Sequence, residues 1–415
     1  MTNAVDFAAD DPIGAALRSV SSMFTPRPLD ARMVELLAGY PPEACSEKLH
    51  YSIELIARYT EELAVDILQR LGAARELDNW RSGDELNRAL AFEPQFADAL
   101  VWLLHQAAEV GRIEAQSVGG GGPRYRRLSE PDDSRLASLR AAGLAIDPAN
   151  EPTLTLLERV AALYPGLARG EVSADQVLFD LQHIELWLSY FNNANPAYAV
   201  NNWVAALAAV QRLDGNAKFR ILEIGAGAGS ASDILLGLLH QRGLAAQLER
   251  YVISEPSPFF RRRGERQLKR RFAGLSLEFV ALDIDRPWSE QGFAAGEFDL
   301  VFGVNVMHVA KDLAFSLGEA GAALRASGWL VLGECLRAAK PIFPELIFQT
   351  LASFRDVQTD PQFRPRPGFL SAAHWRLALA HARFTGIELT PAPERLLEIC
   401  PNFLASAVSG QKPPI

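Results

Sequence analysis

The chain has 415 residues, of which 49% are hydrophobic and 22% charged, and its formal net charge is −9. This balance is typical of a folded globular protein and excludes an intrinsically disordered one. The negative charge argues against a general nucleic-acid binder, because such proteins neutralise phosphates with lysine and arginine.

The N-terminus, "MTNAVDFAADDPIG", is acidic and lacks the basic and apolar segments of a signal peptide. No apolar run approaches the roughly 20 residues that a helix needs to cross a bilayer. The three cysteines lie far apart and in no metal-ligand spacing. We therefore expect a cytoplasmic protein with reduced thiols, no membrane contact and no metal site.

Residues 1–50 are punctuated by proline in "DDPIG", "FTPRPLD" and "YPPEAC", which predicts an extended N-terminal arm. From residue 51 the pattern becomes helical. The segment "YSIELIARYTEELAVDILQRLGAA" places one apolar face at Ile53, Ile56, Leu63, Ile67 and Leu71. Further on, Ser82 and Glu85 have the spacing of a capping box and predict the start of a helix.

Residues 51–150 end in two strand-like runs around the glycine-rich "SVGGGGPRYRRL", and helices closed by such a hairpin look like a winged helix. The helix at the recognition position, "FADALVWLLHQAAEV", is mostly apolar and offers no arginine or lysine to base edges. We therefore expect no nucleic-acid partner. Residues 151–215 predict further helices joined by "YFNNANPAYAVNN", which we interpret as a helical linker or lid.

Residues 216–410 change rhythm, and short β-rich runs alternate with helices. The runs are "RILEIG", "ERYVIS", "LSLEFVALD", "FDLVFGVN", "GWLVLGE", "GIELT" and "LLEIC". Such alternation is typical of a doubly wound α/β sheet, so we predict a Rossmann-like domain here.

The sharpest motif is "ILEIGAGAGSAS" at the end of the first of these strands. Gly225, Gly227 and Gly229 let the backbone turn tightly and approach a ligand, towards which the next helix directs its N-terminal amides. A dinucleotide fingerprint needs glycine at position 230, which is serine here, so a nicotinamide-dependent dehydrogenase is disfavoured. Glu223, two places before the first glycine, suits a cationic methionine-like ligand better than a phosphate.

These residues resemble the first motif of the class I S-adenosylmethionine (SAM)-dependent methyltransferases, and the likeness runs from about Lys218 to the C-terminus. The resemblance implies a seven-stranded sheet whose last strand is antiparallel, with SAM as cofactor, held by Glu223 and the three glycines. It implies that Glu255, with Pro256 beside it, binds the ribose hydroxyls. It also implies that Asp283, with Ile284 beside it, contacts the adenine.

The reacting centre is expected where the fourth and fifth strands end. Methyl transfer from a sulfonium is an in-line displacement, so the protein must position the acceptor and remove its proton. The run "FDLVFGVN" ends with Asn305 beside the cofactor, and His308 follows towards the substrate. The neighbouring run "GWLVLGE" ends with Glu334, and a carboxylate beside an imidazole fixes its tautomer. We predict His308 and Glu334 to be the catalytic pair.

This pair resembles that of polyketide synthase C-methyltransferase domains, which deprotonate the carbon between two carbonyls of a β-ketoacyl thioester. The segment "SYFNNANPAYAVNN" resembles their lid and makes Tyr190, Asn193 and Asn202 candidate substrate-binding residues. The leading prediction is therefore a SAM-dependent methyltransferase of polyketide-like natural product biosynthesis that acts on an activated carbon. In small-molecule methyltransferases a similar N-terminal module also serves dimerisation, so a homodimer is one expected assembly.

Two other functions stay open at this point. The carrier signature G-x-D-S does not occur, so a small-molecule substrate would arrive in trans, free or bound to a carrier protein. This favours an O-methyltransferase acting on a hydroxyl or carboxylate. From another class, a winged-helix regulator would bind SAM without turnover. The basic run "FFRRRGERQLKRRF" is either a solvated helix or a docking surface for an acidic partner, such as a carrier protein.

Overall fold

The chain divides into two compact units in a computed structural model. The model describes residues 11–42, 44–117, 122–128, 134–180 and 183–414. The helical unit comprises residues 1–29, 47–190 and 339–352. The sheet unit comprises residues 30–46, 191–338 and 353–415.

Up to residue 210 the chain is mostly helical. The helices in this part are α1 (Pro12–Ser19), α2 (Ala31–Leu36), α3 (Glu47–Arg70), α4 (Ala73–Glu76), α5 (Gly83–Ala89), α6 (Ala97–Glu109), α7 (Ser134–Ile146), α8 (Glu151–Ala161), α9 (Tyr164–Ala168), α10 (Ala174–Leu178), α11 (Ile184–Tyr190) and α12 (Pro196–Val210). The strands are β1 (Arg81–Ser82), β2 (Ile113–Gln116) and β3 (Arg124–Arg127).

Beyond residue 210 strands and helices alternate. The strands are β4 (Phe219–Ile224), β5 (Leu248–Ser254), β6 (Leu277–Val280), β7 (Phe298–Val304), β8 (Leu324–Cys335), β9 (Thr385–Thr390) and β10 (Ala405–Gln411). The helices are α13 (Ser230–Gln241), α14 (Pro258–Arg271), α15 (Leu313–Ala323), α16 (Phe343–Phe348), α17 (Ala352–Arg355), α18 (Ala372–His381) and α19 (Pro393–Ile399).

The helical unit is built around α3, whose predicted apolar face is buried against α6, α7 and α8. The predicted capping box is confirmed at the start of α5. The Ser82 amide donates to the Glu85 carboxylate at 2.9 Å, and the Glu85 amide donates to the Ser82 hydroxyl at 3.2 Å. Both orphan amides at this helix end are thereby satisfied.

The helical unit also holds a small antiparallel sheet, in which β3 lies between β1 and β2. The glycine-rich tip between β2 and β3 includes residues 118–121, which lie outside the described part of the chain. The predicted recognition helix is α6, and Leu103 and Leu104 are buried in it. Its Trp102 indole donates to Glu345 at 2.9 Å within the same unit. The apolar surface of α6 therefore belongs to the core of the unit, and the likeness to a winged helix stays a prediction.

The N-terminal segment differs from the extended arm that its prolines predict, because α1 and α2 lie within it; residues 1–10 fall outside the described residues. Pro12 is the first residue of α1, a position where the missing amide hydrogen costs nothing. The Asp11 carboxylate caps this helix by accepting from the amides of Ile13 and Gly14. Proline here starts a helix rather than preventing one.

The sheet unit contains one seven-stranded sheet with the order β6-β5-β4-β7-β8-β10-β9. Neighbours from β6 to β8 run parallel, whereas β10 is antiparallel to β8 and β9. This confirms the predicted Rossmann-like α/β class with an antiparallel last strand. The strand order reverses between β4 and β7, and ligands bind at such a switch point in doubly wound sheets.

One predicted strand was wrong. The run "LLEIC" forms the end of α19, and the last strand is the later "ASAVSGQ" of β10. Pro393 begins α19, and its buried residues Leu396 and Ile399 are three apart, which is helical spacing. The small residues of β10 give little apolar signal, yet Ala407 and Val408 are fully buried between β8 and β9.

Among the described residues, no helix combines the length and the apolar character needed to cross a membrane.

Candidate active site

The glycine-rich turn follows β4 and leads into α13. Gly225, Gly227 and Gly229 have φ angles of +61°, +55° and +87°, a region that favours glycine. A Cβ on Gly225 would lie 2.4 Å from the side chain of Val306, and one on Gly229 would lie 2.8 Å from that of Leu268. The turn therefore needs glycine for its conformation and for close packing, and it leads into the N-terminus of α13, where backbone amides can bind a ligand.

Glu223 is a buried carboxylate in β4. One of its oxygens, Oε2, accepts hydrogen bonds from the Ser232 hydroxyl at 2.5 Å and the Tyr251 hydroxyl at 2.6 Å. No basic side chain of the described residues forms an ion pair with it. Burial raises the pKa of Glu223 to about 7. A cationic group brought to this place would favour the ionised carboxylate, so the residue fits an ammonium-bearing ligand.

Glu255, at the end of β5, is tied to the same turn. Its Oε2 accepts from the Gly227 amide at 2.9 Å, and its Oε1 accepts from the Ser257 amide at 2.8 Å. Burial raises the pKa of Glu255, and the two amide donors oppose that shift. Each oxygen keeps a lone pair, which suits the predicted bonds to ribose hydroxyls; the adjacent Pro256 is exposed.

The predicted adenine contact lies after β6. Asp283 is exposed, and its Oδ1 accepts from the Asp285 amide at 3.0 Å, while Ile284 is partly buried against the core. Gln291 fixes this turn, because its side chain accepts from the Asp283 amide and donates to the Asp283 carbonyl, both at 2.9 Å. The sequence did not single out Gln291, since no motif contains it.

Asn305 is the residue that turns the chain out of β7. Its φ of +51° is unusual for a residue other than glycine, although asparagine tolerates it better than most. Its side-chain oxygen accepts from the Cys335 amide at 3.1 Å, and its own amide donates to the Gly333 carbonyl at 2.7 Å. The side chain thus fastens this turn to β8, and the predicted cofactor contact stays a prediction.

His308 and Glu334 come together as the sequence predicts. The imidazole Nδ1 lies 2.7 Å from Oε2 of Glu334, and the two residues are only 4% and 0% exposed. The other oxygen of Glu334 accepts from the Met307 amide at 3.1 Å. The rings of Phe354 and Phe369 pack against the imidazole, with centroid distances of 5.8 and 4.7 Å. With Glu334 ionised as the acceptor, Nδ1 carries the hydrogen and Nε2 holds a lone pair.

The predicted lid residues do not all fall together. Asn193 donates to the Ser230 carbonyl at 2.8 Å, and Asn202 donates to the Asn193 side-chain oxygen at 2.9 Å. The Tyr198 hydroxyl, which the sequence did not single out, lies 3.1 Å from the Ser230 hydroxyl. These residues contact the start of α13, next to the glycine-rich turn. Tyr190 belongs to the helical unit, and its substrate role stays a prediction.

A further residue at the site escaped the sequence. The guanidinium of Arg364 donates to the carbonyls of His308, in the middle of the turn Met307–Val309, and of Ala310, which follows it. Arg364 lies in an irregular segment between α17 and α18 with no recognisable motif. No local signal could have placed it here, because the contact joins residues 56 positions apart.

Comparison with known proteins gives the class. The family described as "Methyltransferase domain" matches residues 222–332, which cover the glycine-rich turn and the strands as far as β8. Residues 222–332 thus match a methyltransferase domain, and the seven-stranded sheet with its antiparallel last strand has the fold of the class I SAM-dependent methyltransferases. The residues fit the cofactor, because Glu223, a buried carboxylate without an ion-pair partner among the described residues, lies two positions before a turn whose glycines leave the backbone bare.

Over part of its length the chain is also similar to polyketide synthases. It is 27% identical over 257 residues to the reducing polyketide synthase Preu2 of Preussia isomera, covering 61% of this chain and 10% of that protein. The chain spans a tenth or less of the length of the curated relatives it matches.

Two solved structures share the fold over nearly the whole chain. The CurJ carbon methyltransferase has a TM-score of 0.71 and 22% identity, covering 97% of this chain and 99% of its own. The DszA carbon methyltransferase has a TM-score of 0.69 and 25% identity, covering 94% of this chain and 98% of its own. The likeness includes the helical unit as well as the sheet unit.

SAM would be held by Glu223, the three glycines and Glu255, with Asp283 towards the adenine. When bound, it supplies a methyl group activated by a sulfonium. The protein must therefore orient the acceptor, exclude water and manage one proton.

We predict that Glu223→Gln stabilises the cofactor-free protein at pH 8 but not at pH 5. The raised pKa of Glu223, about 7, makes ionisation unfavourable in the folded state, so stability is lost as the pH rises from 4.5 towards 7. The amide oxygen of glutamine can accept both hydroxyl bonds, so the gain at pH 8 reaches at most about 3 kcal/mol. Urea unfolding at both pH values measures it. An equal effect at the two pH values would contradict the raised pKa of Glu223. We also expect Glu223→Gln to weaken SAM affinity at least about tenfold, and a smaller loss would contradict the role of Glu223 in holding the cofactor.

We also predict that Gly225→Ala weakens SAM binding by more than tenfold. The new methyl group meets Val306 at 2.4 Å, and the left-handed backbone conformation adds a cost of about 1 kcal/mol. Calorimetric titration with SAM measures the loss. Gly237→Ala is the matched control, because a Cβ there meets nothing within 4 Å inside α13. This control should stabilise the protein by about 0.5–1 kcal/mol and bind SAM normally.

Proposed function

We propose that this methyltransferase transfers a methyl group to an acidic carbon, the one between two carbonyls of a β-ketoacyl substrate, with His308 as general base. The observation that carries the proposal is the 2.7 Å contact between His308 Nδ1 and Glu334. It leaves Nε2 as the nitrogen that can accept a proton. A buried imidazole with a buried carboxylate partner is the arrangement that a proton transfer needs.

The proton is accepted at Nε2 of His308, and the carbon that loses it becomes the nucleophile of the displacement. Glu334 stabilises the imidazolium that results and does not itself take the proton. The aromatic rings of Phe354 and Phe369 shield the imidazole from water, which strengthens its interaction with Glu334. Phe354 and Phe369 therefore keep water from competing for the proton that His308 accepts.

The relatives support carbon as the acceptor. Both similar solved structures are named carbon methyltransferases, and the curated relative is a polyketide synthase. A carboxylate acceptor would already be ionised and would need no base, so the His–Glu pair favours carbon or a hydroxyl. The regulator hypothesis would need α6 free to enter a groove, whereas Trp102, Leu103 and Leu104 in α6 are buried in their own unit.

We also propose that the substrate is delivered on an acidic carrier protein, which docks on α14. One face of this helix carries Phe259, Arg262, Arg263, Arg266 and Arg270, spaced 3, 4, 7 and 11 residues from the first. This cationic stripe is about 16 Å long at the rise of an α-helix. All five side chains are exposed, and Phe259 is 44% exposed.

The other basic residues of α14 are already paired. Arg261 donates to the Glu255 carbonyl, Lys269 pairs with Glu265, and Arg271 pairs with Asp233. Among the described residues, the four arginines of the cationic stripe have no such partner. Four unpaired positive charges on a chain of net charge −9 favour an acidic partner. The opposite face of α14 packs on the glycine-rich turn through Gly264, which puts the stripe beside the cofactor end of the sheet.

His308→Ala should lower kcat for carbon methylation about 100- to 10,000-fold, because the general base is removed. The assay uses a β-ketoacyl thioester of N-acetylcysteamine, and product NMR distinguishes C-methyl from O-methyl. Affinity for SAM should change less than threefold. His381→Ala, an exposed histidine of the same unit, is the control and should retain full activity. Near-normal turnover of His308→Ala would overturn the base assignment.

Reversing charge on the stripe should affect only carrier-bound substrate. Arg262→Glu with Arg266→Glu should lower kcat/KM at least tenfold for a β-ketoacyl group on an acyl carrier protein, since attraction becomes repulsion. The free N-acetylcysteamine thioester should react as before. Arg242→Glu with Arg395→Glu makes the same charge change at exposed sites elsewhere and should be silent. Equal losses on both substrates, or no loss on the carrier, would contradict the docking surface.

A further inference from the structure

Arg364 is a buried arginine that donates hydrogen bonds to the backbone around His308. The residue is 1% exposed, and its Nη2 donates to the His308 carbonyl at 2.6 Å. Its Nη1 donates to the Ala310 carbonyl at 2.5 Å. The two donors of one planar fork therefore bind one carbonyl inside the 3₁₀ turn Met307–Val309, that of His308, and the carbonyl of Ala310, the residue that follows the turn.

The segment around Arg364 is itself fixed to this turn. Asp360 and Arg364 exchange two backbone hydrogen bonds of 2.9 Å, which hold the arginine backbone in place. The Gln358 amide donates to the Lys311 carbonyl at 2.7 Å, just beyond the turn. Phe354 and Phe369, on either side of this segment in the chain, cover the His308 ring. The segment from residue 353 to 371 thus holds both the backbone and the ring of His308.

The charge of Arg364 is costly where it lies. Its hydrogen bonds go to neutral carbonyls, and no carboxylate in the described part of the chain forms an ion pair with it. The carboxylates of Asp285, Asp312 and Glu334 balance the charge only at longer range, and burial lowers the pKa of Arg364 to about 10. A buried charge without an ion-pair partner costs several kcal/mol, so an apolar side chain would serve stability alone better.

We propose that Arg364 is a positioning residue for the reaction: it holds the turn so that His308 meets Glu334 and presents Nε2. The inference rests on the proposed function, because it gives His308 the role of base. Arg364 acts through the backbone, whereas Glu334 acts through the ring nitrogen. The hydrogen bond between Nδ1 and Glu334 fixes the orientation of the imidazole ring. The hydrogen bonds from Arg364 to the two carbonyls fix the backbone that carries this ring. Methyl transfer then requires no contact between Arg364 and the substrate.

The test compares Arg364→Met, which removes the fork, with Arg364→Lys, which keeps the charge but offers no planar pair of donors. Arg364→Met should lower kcat about 10- to 100-fold, as a misplaced base does, with KM and SAM affinity changed less than threefold. Arg364→Lys should recover part of the loss. In the resting enzyme, the low-field ¹H NMR signal of the proton between His308 Nδ1 and Glu334 should move or broaden in both variants.

The control is Arg212→Met in the same unit, where the side chain is 8% exposed, donates to the Ala208 carbonyl and pairs with Glu388. It should lose stability but keep kcat and the low-field signal. The proposal is overturned if a folded Arg364→Met or Arg364→Lys keeps both the wild-type kcat and the wild-type signal. It is also overturned if Arg212→Met changes them as much. The NMR signal does not depend on which atom accepts the methyl group, so a failure of the carbon-methylation proposal would be seen separately, in the His308→Ala assay.

Discussion

Glu334 holds two donors at once, the Nδ1 of His308 and the backbone amide of Met307, on a carboxylate that is wholly buried. A buried carboxylate is stable only when its oxygens are satisfied, so the turn after β7 must bring both donors to the end of β8. Asn305 makes this possible by leaving the strand in a left-handed conformation and binding the Cys335 amide. The need to satisfy both oxygens of the buried Glu334 carboxylate therefore determines how the turn after β7 lies against β8.

The segment that carries His308 and the glycine-rich turn are coupled by packing as well. Val306, the residue between Asn305 and the 3₁₀ turn, would lie 2.4 Å from a Cβ on Gly225 and 2.9 Å from one on Gly303. Its side chain therefore fills the space that the two missing Cβ atoms leave. A displacement of the glycine-rich turn would therefore displace Val306, at the start of the segment that carries His308, because closely packed protein interiors transmit strain. The two halves of the site are built as one packed layer.

The strand-end residues could be predicted because parallel strands bring their carboxyl ends to one edge of the sheet. This rule placed Glu223, Glu255, His308 and Glu334 without knowledge of any long-range contact. It could not place Arg364, whose position depends on an irregular segment 56 residues from His308. It also failed for "LLEIC", since a five-residue run with four apolar residues fits a helix or a strand equally well, and for β10, whose buried alanines and serines carry little apolar pattern.

The position of β10 in the sheet bears on how the enzyme is made. This strand lies between β8 and β9, and its Ser406 is directly opposite Glu334. Until residues 405–411 have been synthesised, β8 has an unpaired edge on the side where β10 lies in the folded protein. This edge is next to Glu334, a carboxylate that is fully buried in the folded protein. The contact between His308 and Glu334 therefore has a closed strand edge beside it only after a pairing across 72 residues (406 − 334). In a nascent chain the residues of the glycine-rich turn are thus all present well before the contact between His308 and Glu334 is enclosed by β10.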